Sequence, residues 1–369
     1  MSEGRKSPLL KAMLQAGGVV ADYHGHRVVR HFGDAAGEYA AAATGLAVFD
    51  RSHRARLTVS GQAPGQMLNG IVTGTMPESP TEIEEGVFSG AATYHAVLTP
   101  KGKMITDLWA MLPGEESSPG ILLDVPVAGL AALLENFKKF IPPRLAVVED
   151  VSAEVSMVTV VGPEAADVLS RLALGLRVEA STLRGASEGE WRLAGALDSG
   201  LAVVRTADVW PEAYSVVGPT EGVVALWGRL VADGAVPAGL GVWSTLRVEA
   251  GRPLFGTDMD DGTIPVEAGI DDRAIDHQKG CYTGQEVIVR IRDRGHVNRR
   301  LHTLELGERP TPAKGTELFA PGDESGKVAG HITSAVQSPK YGGVIALAYV
   351  RTGMETVTLC GREITVPTQ

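Results

Sequence analysis

One cysteine stands in a setting that favours chemical reactivity. Cys281 follows Gly280 directly and Lys279 by two residues, and a helix is predicted to begin over residues 283–286. A neighbouring ammonium group and the N-terminus of a helix both favour the reactive thiolate over the thiol. Gly280 and Gly284 also allow close approach of backbone or ligand. The alternative is that Cys281 is a small buried apolar side chain, the commoner role of a lone cysteine.

Charge is sharply segregated on either side of this cysteine. Six aspartates and Glu267 lie between residues 258 and 276 and are opposed there only by Arg273. A basic run opposed only by Asp293 follows, made of Arg290, Arg292, Arg294, Arg299 and Arg300. The arginines could meet an anion or a partner protein. Equally, the two runs could be solvated faces, or could pair with each other.

Composition limits the classes of function. The chain has 369 residues, a net charge of −10 and two cysteines, Cys281 and Cys360, which are too few for a four-cysteine zinc site or iron–sulfur cluster. We expect no resident metal, and a cytoplasmic location because the thiols suit a reducing compartment. The sequence shows no signal peptide and no apolar stretch of membrane-spanning length. Its acidic balance argues against DNA or direct RNA binding, for which only the basic run would remain.

Two familiar catalytic motifs are absent from the sequence. Neither a glycine-rich phosphate loop nor H-E-x-x-H occurs. The acidic run also fails as a calcium loop, because Gly262 stands where an EF-hand needs an acidic residue. The informative region for chemistry is therefore residues 247–300, which contain the cysteine.

The order of elements predicts an α+β fold. Two apolar segments, 92–98 and 104–111, flank the turn 99–102 and predict a β-hairpin. A strand followed by Gly-Pro and a helix occurs twice, over 154–173 and 214–232, as in split βαββαβ, ferredoxin-like sheets. Short strands separated by turns from residue 301 onward predict a small antiparallel β-barrel.

Three domains are expected from this order. The first split-sheet domain covers 1–150 and is joined by 245–298, the second covers 151–244, and the barrel covers 299–369. Within the first domain we expect an extended arm with a short helix over the first thirty residues. A helix over 34–43 follows, capped by Asp34 and ended by Gly45.

The octet around the cysteine resembles a family signature. The sequence K-G-C-Y-T-G-Q-E matches the K-G-C-Y-x-G-Q-E motif of YgfZ-type folate-binding proteins, relatives of the glycine-cleavage T-protein, an aminomethyltransferase. Its signature residues are Lys279, Gly280, Cys281, Tyr282, Gly284, Gln285 and Glu286. Segments 49–53, 57–61, 247–251 and 265–269 also look like parts of the wider family, so the resemblance covers most of residues 34–350.

The resemblance implies a cloverleaf of two split-sheet domains and a barrel around a channel that binds tetrahydrofolate. T-proteins move a one-carbon unit from an aminomethyl-lipoyl arm to tetrahydrofolate. YgfZ-type proteins support assembly or repair of iron–sulfur enzymes, including a tRNA-modifying one. T-proteins usually carry two adjacent acidic residues in this hairpin, one of them catalytic. Here Thr106 and Asp107 stand in those positions, so one acidic residue remains, whereas the cysteine octet is intact. We therefore favour a folate-binding maintenance factor without independent turnover, with iron–sulfur enzymes as its partners. The alternative is a tetrahydrofolate-dependent aminomethyl or methyl transferase that uses Asp107.

The resemblance also suggests roles for particular residues. Cys281 and Lys279 would act at the mouth of the channel, with Tyr282 and Gln285 shaping the site. Glu249 or Glu267 would face the pterin ring. The glutamate tail of folate would meet arginines, namely Arg247, Arg290 and Arg292. For Arg247 and Glu249 the alternative is a structural role in local ion pairs.

Overall fold

The computed structural model describes residues 6–114, 120–172, 174–322 and 327–367. The helices of these residues are α1 (Leu10–Gln15), α2 (Ala35–Thr44), α3 (Pro64–Asn69), α4 (Val127–Phe140), α5 (Ala165–Arg171), α6 (Ala180–Gly185), α7 (Thr220–Ala232), α8 (Leu240–Glu249), α9 (Pro265–Ala268), α10 (Asp271–Ala274) and α11 (Gln285–Arg294).

Strands outnumber helices in the same residues. They are β1 (Val19–Tyr23), β2 (His26–His31), β3 (Ala47–Asp50), β4 (Ala55–Gly61), β5 (Thr81–Glu84), β6 (Val87–Ala91), β7 (Thr93–Leu98), β8 (Met104–Met111), β9 (Ile121–Val125), β10 (Ala146–Asp150), β11 (Val155–Val161), β12 (Glu190–Ala194), β13 (Ala202–Thr206), β14 (Ala213–Pro219), β15 (Val236–Ala238), β16 (Arg299–Gly307), β17 (Glu317–Phe319), β18 (Val328–Ser338), β19 (Gly343–Arg351), β20 (Thr356–Leu359) and β21 (Arg362–Thr365).

A five-stranded antiparallel sheet contains the predicted hairpin. Its order is β10-β4-β9-β8-β7, and β7 pairs with β8 across the turn 99–102. The Gly102 N–H donates to the Thr99 carbonyl at 2.9 Å, the bond expected of a four-residue turn. An apolar core that includes Leu57, Leu108 and Phe137 lies between this sheet and α4. The hairpin prediction is confirmed.

An eight-stranded sheet combines strands from two regions of the chain. Its order is β15-β3-β11-β14-β13-β12-β6-β5, so β3, β5 and β6 join strands that come after residue 154. Strand β3 pairs antiparallel with β11 and parallel with β15. The boundary expected at residue 150 therefore does not separate the two sheets. The alternation of apolar and polar residues predicts which face of a strand is buried. It does not predict which strand pairs with it, because that depends on contacts between residues far apart in the chain.

The C-terminal strands form the predicted small barrel. Their order is β16-β19-β18-β17-β20-β21, all antiparallel, and β21 returns to contact β16. An apolar core that includes Leu304, Ile332 and Val350 fills the interior. The first strand of the barrel, β16, begins at Arg299.

The N-terminal region follows its prediction in part, and the next helix follows it fully. The expected short helix is α1 (Leu10–Gln15). Residues 19–31 form a β1–β2 hairpin rather than an extended arm. Asp34 caps α2 by accepting from the Gly37 N–H at 2.9 Å, and Gly45 ends that helix. Among the described residues, no helix is both long enough and apolar enough to cross a bilayer.

Candidate functional site

A cavity of three adjoining chambers, here called the central cavity, lies among the two large sheets, the β1–β2 hairpin, helix α8 and strand β18 of the barrel. The large chamber holds about 480 Å³, the apolar chamber about 60 Å³ and the acidic chamber about 30 Å³. Arg51, Arg54 and Trp243 line all three, so the chambers meet at these side chains.

The chain crosses between the sheets at this junction. Residues 51–54, here called the crossing segment, leave β3 in the eight-stranded sheet and enter β4 in the five-stranded sheet. The Arg51 N–H donates to the Met157 carbonyl at 3.0 Å. The buried guanidinium of Arg56 donates to the carbonyls of Arg51 and Arg54 at 3.0 and 2.7 Å. The backbone of the segment is thus fixed, and its arginine side chains line the cavity.

The two arginines of the crossing segment differ in their partners. The Nε of Arg54 donates to Asp124 at 2.7 Å. Arg51 instead lies 3.7 Å from the ring centroid of Trp243, a cation–π contact. Burial, then repulsion by Arg54, lowers the pKa of Arg51 to about 9, although Asp208 and Asp124 oppose this shift.

The acidic chamber contains a carboxyl group whose proton affinity is raised. Asp107, on β8, accepts from the Tyr94 hydroxyl at 2.6 Å through Oδ2, and its Oδ1 is buried without a hydrogen-bond partner among the described residues. Burial raises the pKa of Asp107, while Arg54 and the Tyr94 hydrogen bond oppose the rise. This is the environment of a carboxyl group that can hold and release a proton.

A second carboxylate in the acidic chamber stays charged. Burial would raise the pKa of Asp208, but the nearby arginines, led by Arg273, outweigh burial and lower it. Arg273, on α10, pairs with Asp208 at 3.2 Å and with Glu188, and it lies 4.6 Å from the centre of the Tyr94 ring. The chamber therefore combines one protonatable carboxyl group with a fixed ion-pair network.

The large chamber has basic and aromatic walls. His53 lies there in contact with the Tyr23 ring, and burial followed by repulsion from Arg51 lowers its pKa well below the ordinary value. Arg247 reaches this chamber from α8 and pairs with Asp258 at 2.7 Å. His53 is therefore neutral at pH 7, so the positive charge of these walls comes from arginines.

Two family models match the chain. The GCVT N-terminal domain matches residues 9–279, and the glycine cleavage T-protein C-terminal barrel domain matches residues 299–369. The first match alone covers more than half of the chain. The chain belongs to the glycine cleavage T-protein family.

Named relatives and a solved structure agree with this membership. An aminomethyltransferase of Rubrobacter xylanophilus is 30% identical over 348 residues, which make up 94% of this chain and 87% of that protein. The aminomethyltransferase of Geobacillus kaustophilus is 28% identical over 368 residues, 98% of this chain and 94% of that protein. The crystal structure of glycine cleavage system aminomethyltransferase T from Bartonella henselae aligns with a TM-score of 0.80 and 19% identity, covering 98% of this chain and 96% of that one. The predicted T-protein-like α+β fold is confirmed.

The cysteine octet lies outside the central cavity of this T-protein family member. None of its residues lines the three chambers. Cys281 is exposed, and no described hydrogen bond joins it to Lys279. The Lys279 ammonium instead donates to the carbonyls of Val72 and Gly74 at 2.8 and 2.7 Å. Burial lowers the pKa of Lys279 to about 8. A catalytic role for this pair at the cavity mouth thus has no geometric support, because the ammonium is used to hold the loop.

Two other octet residues fix helix α11 against the hairpin. Tyr282 is buried in one apolar cluster with Tyr94 and Leu98 of β7. Gly284 has φ +85°, and a Cβ there would come within 2.7 Å of the Thr99 carbonyl oxygen. Of the remaining octet residues, Gln285 and Glu286 begin α11, with Glu286 exposed.

Three predicted folate contacts have protein partners of their own. Glu249 accepts from the hydroxyls of Tyr39 and Ser338. Glu267 accepts from the Ile264 N–H at 3.3 Å and pairs with Arg299 at 3.2 Å. Neither glutamate lines the chambers. Arg247 does, but it is paired, so the structural alternative describes Arg247 and Glu249 better.

Arg290 and Arg292 of α11, two of the arginines expected to meet the folate tail, are solvent-exposed. Arg290 lies 3.7 Å from Glu286, and Arg292 pairs with Asp293 at 2.6 Å. Neither lines the central cavity. Their expected contact with folate rests on charge alone, and charge does not distinguish an exposed helix face from a binding site.

Several cavity residues were missed from sequence. They are Arg51, Arg54, Tyr94, Trp243, Asp208 and Arg273. One signal was present: two arginines in the short connection between strands β3 and β4. Tyr94 could have been found from the hairpin, because its partner Asp107 lies on the opposite strand. Among the residues that the structure describes, no group of three or more His, Cys, Asp or Glu side chains is arranged to hold a metal ion.

Proposed function

We propose that the central cavity transfers a one-carbon group from a small amine to tetrahydrofolate, with Asp107 as the proton-carrying carboxyl group. The observation that carries this proposal is the buried Asp107, held through one oxygen by Tyr94 and left free at the other. The name aminomethyltransferase of the relatives supports the same class of reaction. This is the function that the sequence placed second.

The central cavity suits a folate in its size and in its buried polar atoms that have no hydrogen-bond partner among the described residues. A volume of about 480 Å³ lies within the range of sites that hold ligands of this size. Asp107 Oδ1 and Arg51 Nε are both buried without a hydrogen-bond partner among the described residues. A free acceptor suits the N–H groups of a pterin ring, and a free donor suits a carboxylate. Trp243 and Tyr23 supply aromatic surface.

The residues of this chain would hold the ligand and move a proton. Tetrahydrofolate, when bound, supplies the nitrogen that receives the one-carbon group. Because burial raises its proton affinity, Asp107 can take the proton that this nitrogen loses and give one to the departing amine. Tyr94 holds Asp107 Oδ2 in place, which leaves Oδ1 free for that exchange.

The substitution Asp107→Asn tests this function. We expect tetrahydrofolate-dependent release of amine to fall by about 100-fold or more, the usual contribution of a general acid–base. Turnover would be measured with purified protein, tetrahydrofolate and simple methylated or aminomethylated amines. Asp272→Asn, at an exposed aspartate, is the matched control. Unchanged turnover in Asp107→Asn would remove Asp107 from the reaction.

We propose, as a second candidate, support of iron–sulfur enzyme assembly or repair through Cys281. The observation in its favour is that Cys281 is exposed on a loop that Lys279 and Tyr282 hold in place. An exposed thiol can exchange with an oxidised group on a partner protein. The client would be an iron–sulfur enzyme, as expected from the octet.

Complementation separates this candidate from the first. In a strain lacking this protein, Cys281→Ala should fail to restore iron–sulfur enzyme activity, while Cys360→Ala should restore it. Cys360 is the suitable control because it is also an exposed cysteine. Full restoration by Cys281→Ala would end the thiol role, and restoration lost only in Asp107→Asn would favour the transferase.

A further inference from the structure

Arg51 is a buried cation without an anionic partner. It is 5% exposed, and among the described residues its guanidinium has neither an ion pair nor a hydrogen bond. Its closest described interaction is the face of Trp243, 3.7 Å away. Buried arginines are normally paired, because an unpaired buried charge destabilises the folded state. The arrangement therefore calls for a ligand.

Neighbouring arginines already have carboxylate partners. Arg54 pairs with Asp124, Arg247 with Asp258, and Arg273 with Glu188 and Asp208. These pairs leave Arg51, at the junction of the three chambers, with its charge uncompensated. Asp208 lies near enough to favour the charged form of Arg51, but it pairs with Arg273 instead.

The structure around Arg51 holds the guanidinium in position. The backbone of Arg51 is fixed on both sides, to Met157 and to Arg56. Trp243 is held in turn by the Phe49 ring, with centroids 5.4 Å apart. A guanidinium supported on one face by an aromatic ring keeps its N–H edge free for a planar anion.

We propose that Arg51, stacked on Trp243, is the carboxylate-binding residue of the central cavity. The identity of the ligand rests on the proposed function. The carboxylate would come either from the glutamate tail of folate or from a small amino-acid substrate. No covalent step is involved, since the carboxylate supplies the missing counter-charge and accepts hydrogen bonds.

Binding of three probes to Arg51→Met tests the assignment. The probes are tetrahydrofolate, 6-methyltetrahydropterin, which has the ring without carboxylates, and N-methylglycine, a small amine with a carboxylate. Loss of a charge-assisted contact should weaken carboxylate binding by about 10- to 100-fold. The variant should fold, because it replaces an unpaired buried charge by an apolar chain, and its melting temperature should not fall. Arg171→Met, at an exposed arginine, is the matched control.

The pattern of loss identifies the source of the carboxylate. Weaker binding of tetrahydrofolate with unchanged binding of the pterin supports the folate tail. Weaker binding of N-methylglycine alone supports the substrate. The inference is overturned if the wild type and Arg51→Met bind both carboxylate probes with equal affinity. It is also overturned if Arg51→Met has a lowered melting temperature and Arg51→Lys restores that temperature without ligand. If the wild type binds N-methylglycine through Arg51 but binds neither folate nor pterin, the proposed tetrahydrofolate-dependent transfer is wrong. Carboxylate binding by Arg51 is then still supported.

Discussion

At the scale of single residues, the partners of a buried group rather than its residue type decide its chemistry. Asp107 and Asp208 line the same small chamber, yet the pKa of Asp107 is raised and that of Asp208 is lowered. Asp208 has Arg273 as an ion-pair partner, whereas Asp107 has the neutral hydroxyl of Tyr94. Two carboxyl groups pushed in opposite directions are a pattern expected of acid–base sites.

Asp107→Asn should stabilise the protein in a pH-dependent way. Because the pKa of Asp107 is raised in the folded state, the stability it contributes is greatest below its unfolded pKa of 3.8 and is lost as the pH rises through the folded value. We expect Asp107→Asn to raise the free energy of unfolding at pH 7.5 by about 0.5–2 kcal/mol. Urea unfolding at several pH values should show the gain shrinking toward pH 4. A gain independent of pH would mean that the carboxylate charge is not its cause.

At the scale of elements, the packing of α11 against the β7–β8 hairpin explains why some positions of the octet hold the residues they do. Gly102 of the hairpin turn would meet Val287 of α11 at 2.8 Å if it carried a Cβ, and Gly284 would meet Thr99 at 2.7 Å. Both glycines have positive φ, which other residues adopt at a cost. Two of the motif's strongest features, Gly284 and Tyr282, therefore serve packing.

The two glycines of the octet give a direct test of this explanation. Gly284→Ala should lower the free energy of unfolding by about 1–2 kcal/mol, from its left-handed backbone alone, and by more from the contact with Thr99. Gly280→Ala should change it by less than about 0.5 kcal/mol, because a Cβ there meets nothing within 4 Å. Guanidinium unfolding of both variants gives the comparison. Equal losses would show that the octet glycines share a role other than this packing.

At the scale of the whole molecule, buried polar contacts join helix α8 to the barrel. Arg247 of α8 pairs with Asp258, and both contact the Ser334 hydroxyl of β18. The side chains of the pair are 4% and 0% exposed. Glu249 of α8 makes a second such link, through Ser338. These contacts fix the wall of the large chamber to which Trp243 also belongs.

Asp258→Asn should destabilise the protein far more than a change at an exposed pair. Removal of one charge from a buried pair costs about 3–5 kcal/mol, because Arg247 is left uncompensated. Asp233→Asn, which breaks the exposed pair with Arg171, should cost less than about 1 kcal/mol. Thermal and urea unfolding measure both. A loss at Asp258 as small as that at Asp233 would show that water reaches the buried pair.

The sequence by itself determined the superfamily and the element types, and it singled out Asp107, for which we propose a role in catalysis. Local signals were sufficient for the hairpin around 99–102, the cap at Asp34 and the barrel from Arg299, because turn and capping preferences act over a few residues. The octet favoured the YgfZ-type branch, whereas the comparisons support only the wider T-protein superfamily. Asp107 was the carboxylate expected of the alternative, a transferase. Only the tertiary structure decided that β3, β5 and β6 belong to the eight-stranded sheet and that the octet lies outside the central cavity. The same packing makes Arg51 an unpaired buried charge beside Trp243. Charge and spacing in a sequence do not specify burial or partners, and both depend on contacts between residues far apart in the chain.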